Sequence, residues 1–145
     1  MTITLKRITY AELNSRQKES YNFQKASAVL ADYGFVTLRL SDDWQGADFI
    51  AQHIDGRTFI KVQLKSRPAF AKKYQGKDLF IAFFDGTSWY LYPHDEVLER
   101  LLAVSSIGET LSWSDRGGYS WKSAPRVLRE LLEPFRLGDR GPEKN

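Results

Sequence analysis

The stretch that decides the fold runs from Gly46 to Arg67 and reads GADFIAQHIDGRTFIKVQLKSR. Two strand-like runs flank Asp55-Gly56, a dipeptide typical of two-residue type I′ hairpin turns. A turn centred there fixes the register, so that Gln52 faces Phe59 across the hairpin. The stretch therefore predicts an antiparallel strand pair whose cross-strand neighbours can be counted outward from the turn.

The same count places Asp48 opposite Gln63 at the open end of the hairpin. Because side chains alternate along a strand, Asp48, Gln63 and Lys65 are predicted to share one face. Directly opposed side chains have Cβ atoms about 4.5–5.5 Å apart. An acid, an amide oxygen and an ammonium would thus converge, which suits a site for a cation and a phosphate.

The flanking sequence predicts an α+β fold with a mixed sheet. Before the hairpin the pattern predicts a helix over Leu13–Tyr33 ended by Gly34, a strand over Phe35–Leu40 and an acidic loop over Ser41–Gln45. After it we expect a basic loop or irregular turn over Ala69–Lys77, a strand over Asp78–Phe84 covered on both faces, and a strand over Ser88–Tyr92. A helix over Asp95–Val104 follows. The pattern of Leu111–Trp121 is ambiguous, with a small hairpin turning at Gly117-Gly118 as one interpretation, and a last helix starts at Ser123-Ala124-Pro125 with Ser123 as its cap. Residues 1–137 are predicted to form one domain and 138–145 a flexible tail.

Composition limits the class of protein. The chain has 145 residues, 42% of them apolar and 14% aromatic, which suits a folded domain with a core. The absence of cysteine excludes disulfides and thiolate metal sites and favours a reducing compartment. Neither a membrane-length apolar run nor a signal-peptide core is present, so we expect a cytoplasmic protein. A net charge of +3 is compatible with a polyanionic partner but decides little.

The order of these elements carries a resemblance. A helix, a strand, Gly-x-Asp-Phe at Gly46–Phe49, a turn, and Val-Gln-Leu-Lys-Ser at Val62–Ser66 resemble the PD-(D/E)XK nuclease superfamily. The segment is similar to the Gln-x-Lys variant found among intron-type homing endonucleases. The resemblance covers about residues 21–92 and implies a restriction-endonuclease-like fold, with a core of helix, mixed sheet and helix.

The resemblance also implies roles for single residues. Asp48 matches the metal-binding Asp, Gln63 the acid position, and Lys65 the Lys that positions the attacking water and stabilises charge. The implied chemistry is phosphodiester hydrolysis assisted by Mg²⁺ (or Mn²⁺), with Asp48 and Gln63 as metal ligands. The resemblance also implies a further acid on the first helix, where this chain offers Gln24 and, nearer the N-terminus, Glu19. Gln63 itself brings no charge.

Basic residues after the hairpin are candidates for nucleic-acid contacts. Four cations in this short region alternate with aromatic side chains, a mixture that suits phosphate contacts with occasional stacking: Arg67, Lys72, Lys73 and Lys77. We therefore expect DNA as a partner, and the resemblance adds the expectation of a homodimer.

Other interpretations stay open at this point. The nuclease fold without catalysis, binding nucleic acid or a protein partner, is the main alternative, and an interaction protein that dimerises through apolar surface is a third. An oxygen-rich cation site at Asp42, Asp43 and Asp48 competes with a solvated acidic loop. His94-Asp95-Glu96 is interpreted as a helix start and His53 as a residue on the face away from Asp48. Arg116–Tyr119 is interpreted as part of a small aromatic core more than as a nucleic-acid rim.

Overall fold

A computed structural model describes residues 2–138 of the chain. The strands are β1 (Phe35–Trp44), β2 (Ala47–His53), β3 (Phe59–Leu64), β4 (Ala69–Ala71), β5 (Leu79–Phe84), β6 (Trp89–Pro93) and β7 (Gly118–Ser120). The helices are α1 (Ser15–Ala31), α2 (His94–Val104), α3 (Leu111–Ser114) and α4 (Arg126–Leu132). Only Gly138 of the predicted tail lies within the described residues.

Five strands form a mixed sheet in the order β1-β2-β3-β5-β6. Its neighbouring strands are antiparallel except for β3 and β5, which run parallel. Helix α1 packs Ala26 and Leu30 onto one face of the sheet, while α2 and α4 cover the β5–β6 part of the other face. The predicted α+β class, with a mixed sheet flanked by helices, is confirmed, and β5 is covered on both faces as predicted.

The strands of the central hairpin pair in the predicted register, but the turn that joins them differs from the predicted one. Gln52 pairs with Phe59 and Ile50 with Lys61, as counted from the sequence. The prediction of a two-residue type I′ turn is wrong, because His53 and Thr58 close a four-residue loop and Asp55 does not take the positive φ that such a turn requires. The register is nevertheless the predicted one, because the predicted two-residue loop (55–56) and the observed four-residue loop (54–57) have the same midpoint.

Hydrogen bonds to one carboxylate stabilise this loop. Asp55 accepts them from the Thr58 hydroxyl and from the backbone N–H groups of Thr58 and Arg57. The Thr58 hydroxyl, followed by the two backbone donors, lowers the pKa of Asp55 to about 2. The side chain therefore stays ionised and holds the turn at all but strongly acidic pH.

The expected acidic loop over Ser41–Gln45 is wrong, because β1 continues to Trp44. A two-residue turn follows at Gln45 and Gly46, with φ of 55° and 85°, so the type I′ geometry occurs here and not at Asp55-Gly56. The register shifts between Arg39 opposite Phe49 and Trp44 opposite Ala47. Four β1 residues therefore oppose a single β2 residue, Asp48, and such a bulge bends the strand next to that residue.

Two further local predictions are corrected. The basic segment after Pro68 is not a loop throughout: Ala69–Ala71 is a strand and Lys72–Tyr74 a turn of 3₁₀ helix. No local hairpin forms at Gly117-Gly118, since β7 pairs with the distant β4. Backbone hydrogen bonding over this sequence separation leaves no periodic signal in either segment, so the pairing was not predictable.

The last helix also begins differently from the prediction. Pro125 is the N-cap of α4 and no side chain caps it, so the predicted capping role of Ser123 is wrong. Within residues 2–138, no helix has both the length and the apolar character needed to cross a membrane.

Candidate active site at the open end of the hairpin

A cavity of about 390 Å³ lies where β2 begins and β3 ends. It is lined mainly by polar side chains from α1, the β1 bulge and the hairpin: Glu19, Asn22, Phe23, Arg39, Leu40, Ser41, Asp42, Ala47, Asp48, Gln63, Leu64, Lys65 and Ser66. Asp48, Gln63 and Lys65 are thus brought together, as the hairpin count predicted. Acids and cations share the cavity, a mixture suited to a metal ion beside a phosphate.

Asp48 is fixed by the hairpin itself. Its Oδ2 accepts a 2.7 Å hydrogen bond from the backbone N–H of Leu64, the residue between Gln63 and Lys65. Its neighbour Phe49 is fully buried under α1, where it contacts Phe23, and this packing fixes the backbone next to Asp48. The half-buried carboxylate is therefore tied to β3, at the residue next to Gln63, by a side-chain hydrogen bond.

Gln63 carries an unusual oxygen. Its Oε1 atom is buried and has no hydrogen-bond partner among the described residues. The residue lies on β3 opposite Ile81 of the parallel strand β5, directly after Val62, which pairs with Phe49 of β2. A buried polar atom without a partner costs about 1–3 kcal/mol, and such atoms are rare in folded proteins. A bound cation would satisfy this oxygen.

Lys65 is anchored at both ends. Its backbone N–H donates a 2.9 Å hydrogen bond to the carbonyl of Ala82 on β5. Its Nζ lies 5.4 Å from the centre of the Tyr74 ring, within the range of cation–π attraction. A Cβ added to Gly46, whose φ is already positive, would lie 3.3 Å from the same ring. A glycine at the type I′ turn thus lets Tyr74 pack close to the site and support the ammonium.

The first helix contributes one of its two predicted candidates. Glu19 is exposed and lines the cavity together with Asn22 and Phe23. Gln24 lies on a different surface of α1, next to Leu13 and Lys25. Residues 19 and 24 are separated by about 140° around a helix, so only one of them can face the hairpin. Asn22, three residues from Glu19, was missed by the sequence reasoning, although its spacing was a signal.

The predicted basic residues surround the site on different sides. Lys72 and Lys73 are exposed, lie over the rings of Trp113 and Tyr74, and line a separate open cavity that Lys65 also lines. Arg67 lies in another cavity, next to Ser66. Lys77 is half-buried and lines neither. Lys72, Lys73 and Arg67 therefore flank the proposed catalytic Lys, while Lys77 lies apart from them.

His94 supports the basic segment from below. This fully buried ring accepts a 3.1 Å hydrogen bond at Nε2 from the N–H of Ala71, and its Nδ1 lies 2.8 Å from the Asp95 carboxylate. Burial lowers the pKa of His94, opposed by the nearby Asp95. Asp95 also accepts a hydrogen bond from the N–H of Gly76. The helix start predicted at His94 is correct, and its first two side chains hold both ends of the segment that carries Lys72, Lys73 and Tyr74.

The donor set fits a hard divalent cation of moderate affinity. The Asp48 carboxylate and the unpartnered Gln63 oxygen are the kind of ligands that Mg²⁺ and Mn²⁺ take in proteins. Asp42 and Glu19 line the same cavity, although within residues 2–138 no three His, Asp or Glu side chains are grouped closely enough to hold a metal by themselves. The side chain of Asp43 lies outside what the structure describes.

Two of the solved structures that are similar to this chain are nucleases. One is Hjc, a Holliday junction resolvase from the archaeal hyperthermophile Archaeoglobus fulgidus, at 14% identity and a TM-score of 0.43 over 54% of this chain and 74% of Hjc. The other is a bacterial homing endonuclease, at 14% identity and a TM-score of 0.47 over 85% of this chain and 86% of that one. No protein-family model and no curated protein matches the chain.

Proposed function

We propose that the protein is a metal-dependent endonuclease that hydrolyses phosphodiester bonds of DNA, built on a restriction-endonuclease-like core. The observation that supports this most directly is the buried, unpartnered Oε1 of Gln63 in the cavity that Asp48 and Lys65 also line. An oxygen left in this state is best explained by a ligand that completes it, and the neighbouring carboxylate makes a cation the fitting ligand.

Asp48 and Gln63 would hold Mg²⁺ or Mn²⁺. When bound, the metal would polarise a phosphoryl oxygen and lower the pKa of a water molecule. The Leu64 N–H keeps Asp48 oriented towards β3, so this ligand is positioned before the metal arrives. Since Gln63 is neutral, two ligands supply one negative charge, and the site would bind a divalent ion more weakly than a pair of carboxylates would.

Lys65 would act on the phosphate. Its ammonium group lies near Tyr74, and Lys65 lines both the cavity that contains Asp48 and Gln63 and the one that contains Lys72 and Lys73. From there it would stabilise the negative charge that develops on the phosphate oxygens during hydrolysis and orient the attacking water. Lys72 and Lys73, both exposed, would bind the neighbouring backbone phosphates.

Cleavage of plasmid and linear DNA in Mg²⁺ or Mn²⁺ tests this function. We expect wild-type cleavage that EDTA abolishes, no cleavage by Asp48→Ala, and a loss of about 100-fold or more for Lys65→Ala. Glu99→Ala and Lys25→Ala, which remove an exposed acid on α2 and an exposed base on α1, serve as controls and should cut normally. Wild type that cuts no DNA, or Asp48→Ala that cuts as well as the controls, contradicts the proposal.

One observation favours the alternative, a nuclease fold that binds nucleic acid without cutting it. Within the described residues no cluster of three metal-binding side chains is present, so a metal would depend on Asp48 and on neutral Gln63. In that case DNA binding would be sensitive to salt but indifferent to EDTA and to Lys65→Ala. Cleavage by wild type would exclude this alternative.

The predicted homodimer is part of the same proposal. Val36, Leu38 and Phe59 are 70%, 65% and 58% exposed on β1 and β3, with Gln52 of β2 between Val36 and Phe59. This exposed apolar surface would suit a partner. Light scattering of the purified protein tests it, and a monomer at all concentrations would contradict it.

A further inference from the structure

A second cavity begins one residue beyond Lys65. It has a volume of about 570 Å³ and is lined by residues of β5, β6 and α4. Ser66 lines both this cavity and the first one, which contains Asp48, Gln63 and Lys65. This volume falls within the range of about 300–1,000 Å³ that is usual for small-ligand sites. A ligand group in the second cavity would therefore lie next to a phosphate held at Lys65.

Four cations and three acids line this cavity. Two of the acids, Glu130 and Glu133, are paired with arginines, and Asp85 accepts two backbone hydrogen bonds. Among the cations, Arg67, Lys122 and Arg129 form no ion pair with a described residue. A fourth cation, Arg126, is paired with Glu130 at 2.9 Å. Three exposed cations without acid partners around one cavity suit a phosphate-bearing ligand.

An aromatic pair in the same cavity suits the base of a nucleotide. Tyr90 and Phe83 both line the cavity and are stacked on each other, with centroids 4.9 Å apart and an interplanar angle of 4°. Tyr90 is half-buried, which leaves part of it accessible from the cavity. An aromatic side chain with a cationic rim is the arrangement with which proteins bind an unstacked nucleotide.

We propose that this cavity binds one unpaired nucleotide adjacent to the phosphate held at Lys65, and that the protein therefore prefers DNA with a single-stranded end or flap at that position over continuous duplex. A base within a duplex is covered on both faces by its neighbours, so it must be unstacked before it can enter. This cost is smallest for a base that is already unpaired. The proposal rests on the proposed function for the position of the phosphate, but the binding itself requires no cleavage.

A binding experiment without metal separates the two proposals. Wild-type protein in EDTA, where cleavage is not expected, is titrated by fluorescence anisotropy with three DNAs of one sequence: continuous duplex, the same duplex with a three-nucleotide flap, and single strand. We expect the flap to bind about tenfold tighter than the duplex, the size expected for one stacked base. Tyr90→Leu should remove this preference while leaving duplex affinity within about twofold.

Because Tyr90 also packs on Phe83, a second variant avoids the core. Lys122→Ala/Arg129→Ala changes two exposed cations only, and it should reduce flap affinity more than duplex affinity, whereas Arg100→Ala, an exposed cation on α2, should change neither. Equal affinity of wild type for flap and duplex, or an unchanged preference in both cavity variants, overturns the inference. If the inference fails but wild type still cuts duplex DNA, the proposed hydrolysis stands. If wild type cuts no DNA but binds the flap preferentially, the proposed hydrolysis fails and the inference stands.

Discussion

The carboxylate of Asp48 accepts a 2.7 Å hydrogen bond from the backbone N–H of Leu64, so the acid of one strand is tied to the strand that carries Gln63 and Lys65. One side chain thus has a structural role and a proposed chemical one, and two substitutions separate them. Asparagine keeps an oxygen acceptor and removes the charge, whereas alanine removes both.

We expect Asp48→Asn to fold with nearly wild-type stability and to lose Mn²⁺ binding and cleavage. Asp48→Ala should in addition be destabilised by about 1–3 kcal/mol, because a partly buried N–H loses its partner. Urea unfolding and calorimetric titration with Mn²⁺ measure the two effects. If Asp48→Asn binds Mn²⁺ as wild type does, Asp48 is not a metal ligand.

Because the Gln63 oxygen has no partner among the described residues, removing it should raise stability and abolish metal binding. Gln63→Met has a similar shape without the polar oxygen, so it should raise the melting temperature of the metal-free protein by at least about 2 °C while abolishing metal binding and cleavage. Gln52→Met, on the exposed part of β2, is the control and should change neither. A Gln63→Met protein that is less stable than wild type would show that the oxygen has a partner the structure lacks.

A carboxylate in place of the Gln63 amide should strengthen metal binding and lower the stability of the metal-free protein. Gln63→Glu adds charge beside Asp48, so we expect stronger Mn²⁺ binding together with lower stability in EDTA, because two like charges then lie close together without a cation. The difference between melting temperatures with and without Mn²⁺ should exceed that of wild type. An equal or smaller difference would contradict the assignment of Gln63 as a ligand.

The buried ring of His94 predicts an acid-sensitive fold. Burial lowers the pKa of His94 below its unfolded value of 6.5, so the unfolded chain binds the proton first as pH falls. Stability is then full above pH 6.5 and declines as pH falls from there through the lowered folded pKa, by up to about 1.4 kcal/mol per pH unit for one proton.

His94→Gln should flatten that decline, because a glutamine can still accept from the Ala71 N–H but does not titrate. Gln52→Met, an exposed substitution that changes no titratable group, is the control and should leave the slope unchanged. Urea unfolding between pH 5 and 8 measures all three proteins, and equal slopes in wild type and His94→Gln would contradict the role of this ring.

Lys72 and Lys73 predict a salt effect on DNA binding. If each contacts one phosphate, Lys72→Ala/Lys73→Ala should reduce the slope of log K against log salt by about 1.8, since each contact contributes about 0.9. Lys25→Ala/Arg100→Ala removes two exposed cations elsewhere and should leave the slope as it is. An unchanged slope in the first variant would exclude both lysines from the DNA interface.

The hairpin register was predictable because it depends on local alternation and on the midpoint of the loop, and either turn type leaves Asp48 opposite Gln63. The bulge of β1 was not predictable, because the polar sequence Ser41–Asp43 indicates a loop and contains no signal for pairing with β2. The choice of Glu19 over Gln24 required the rotation of α1, which α1 owes to the packing of Ala26 and Leu30. The pairing of β4 with β7, and with it the buried role of His94, depends on contacts distant in sequence that no local pattern encodes.

The position of Asp48 and Gln63 within one hairpin has a consequence for the order of folding. Hairpins of this kind form in about 1–10 μs, whereas contacts that close long loops, such as β4 with β7, form later because they carry a larger entropic cost. We therefore expect the two proposed metal ligands to meet before the segment that supports Lys65 is anchored on His94. The nascent chain would gain its cation site first and its phosphate-binding surface last.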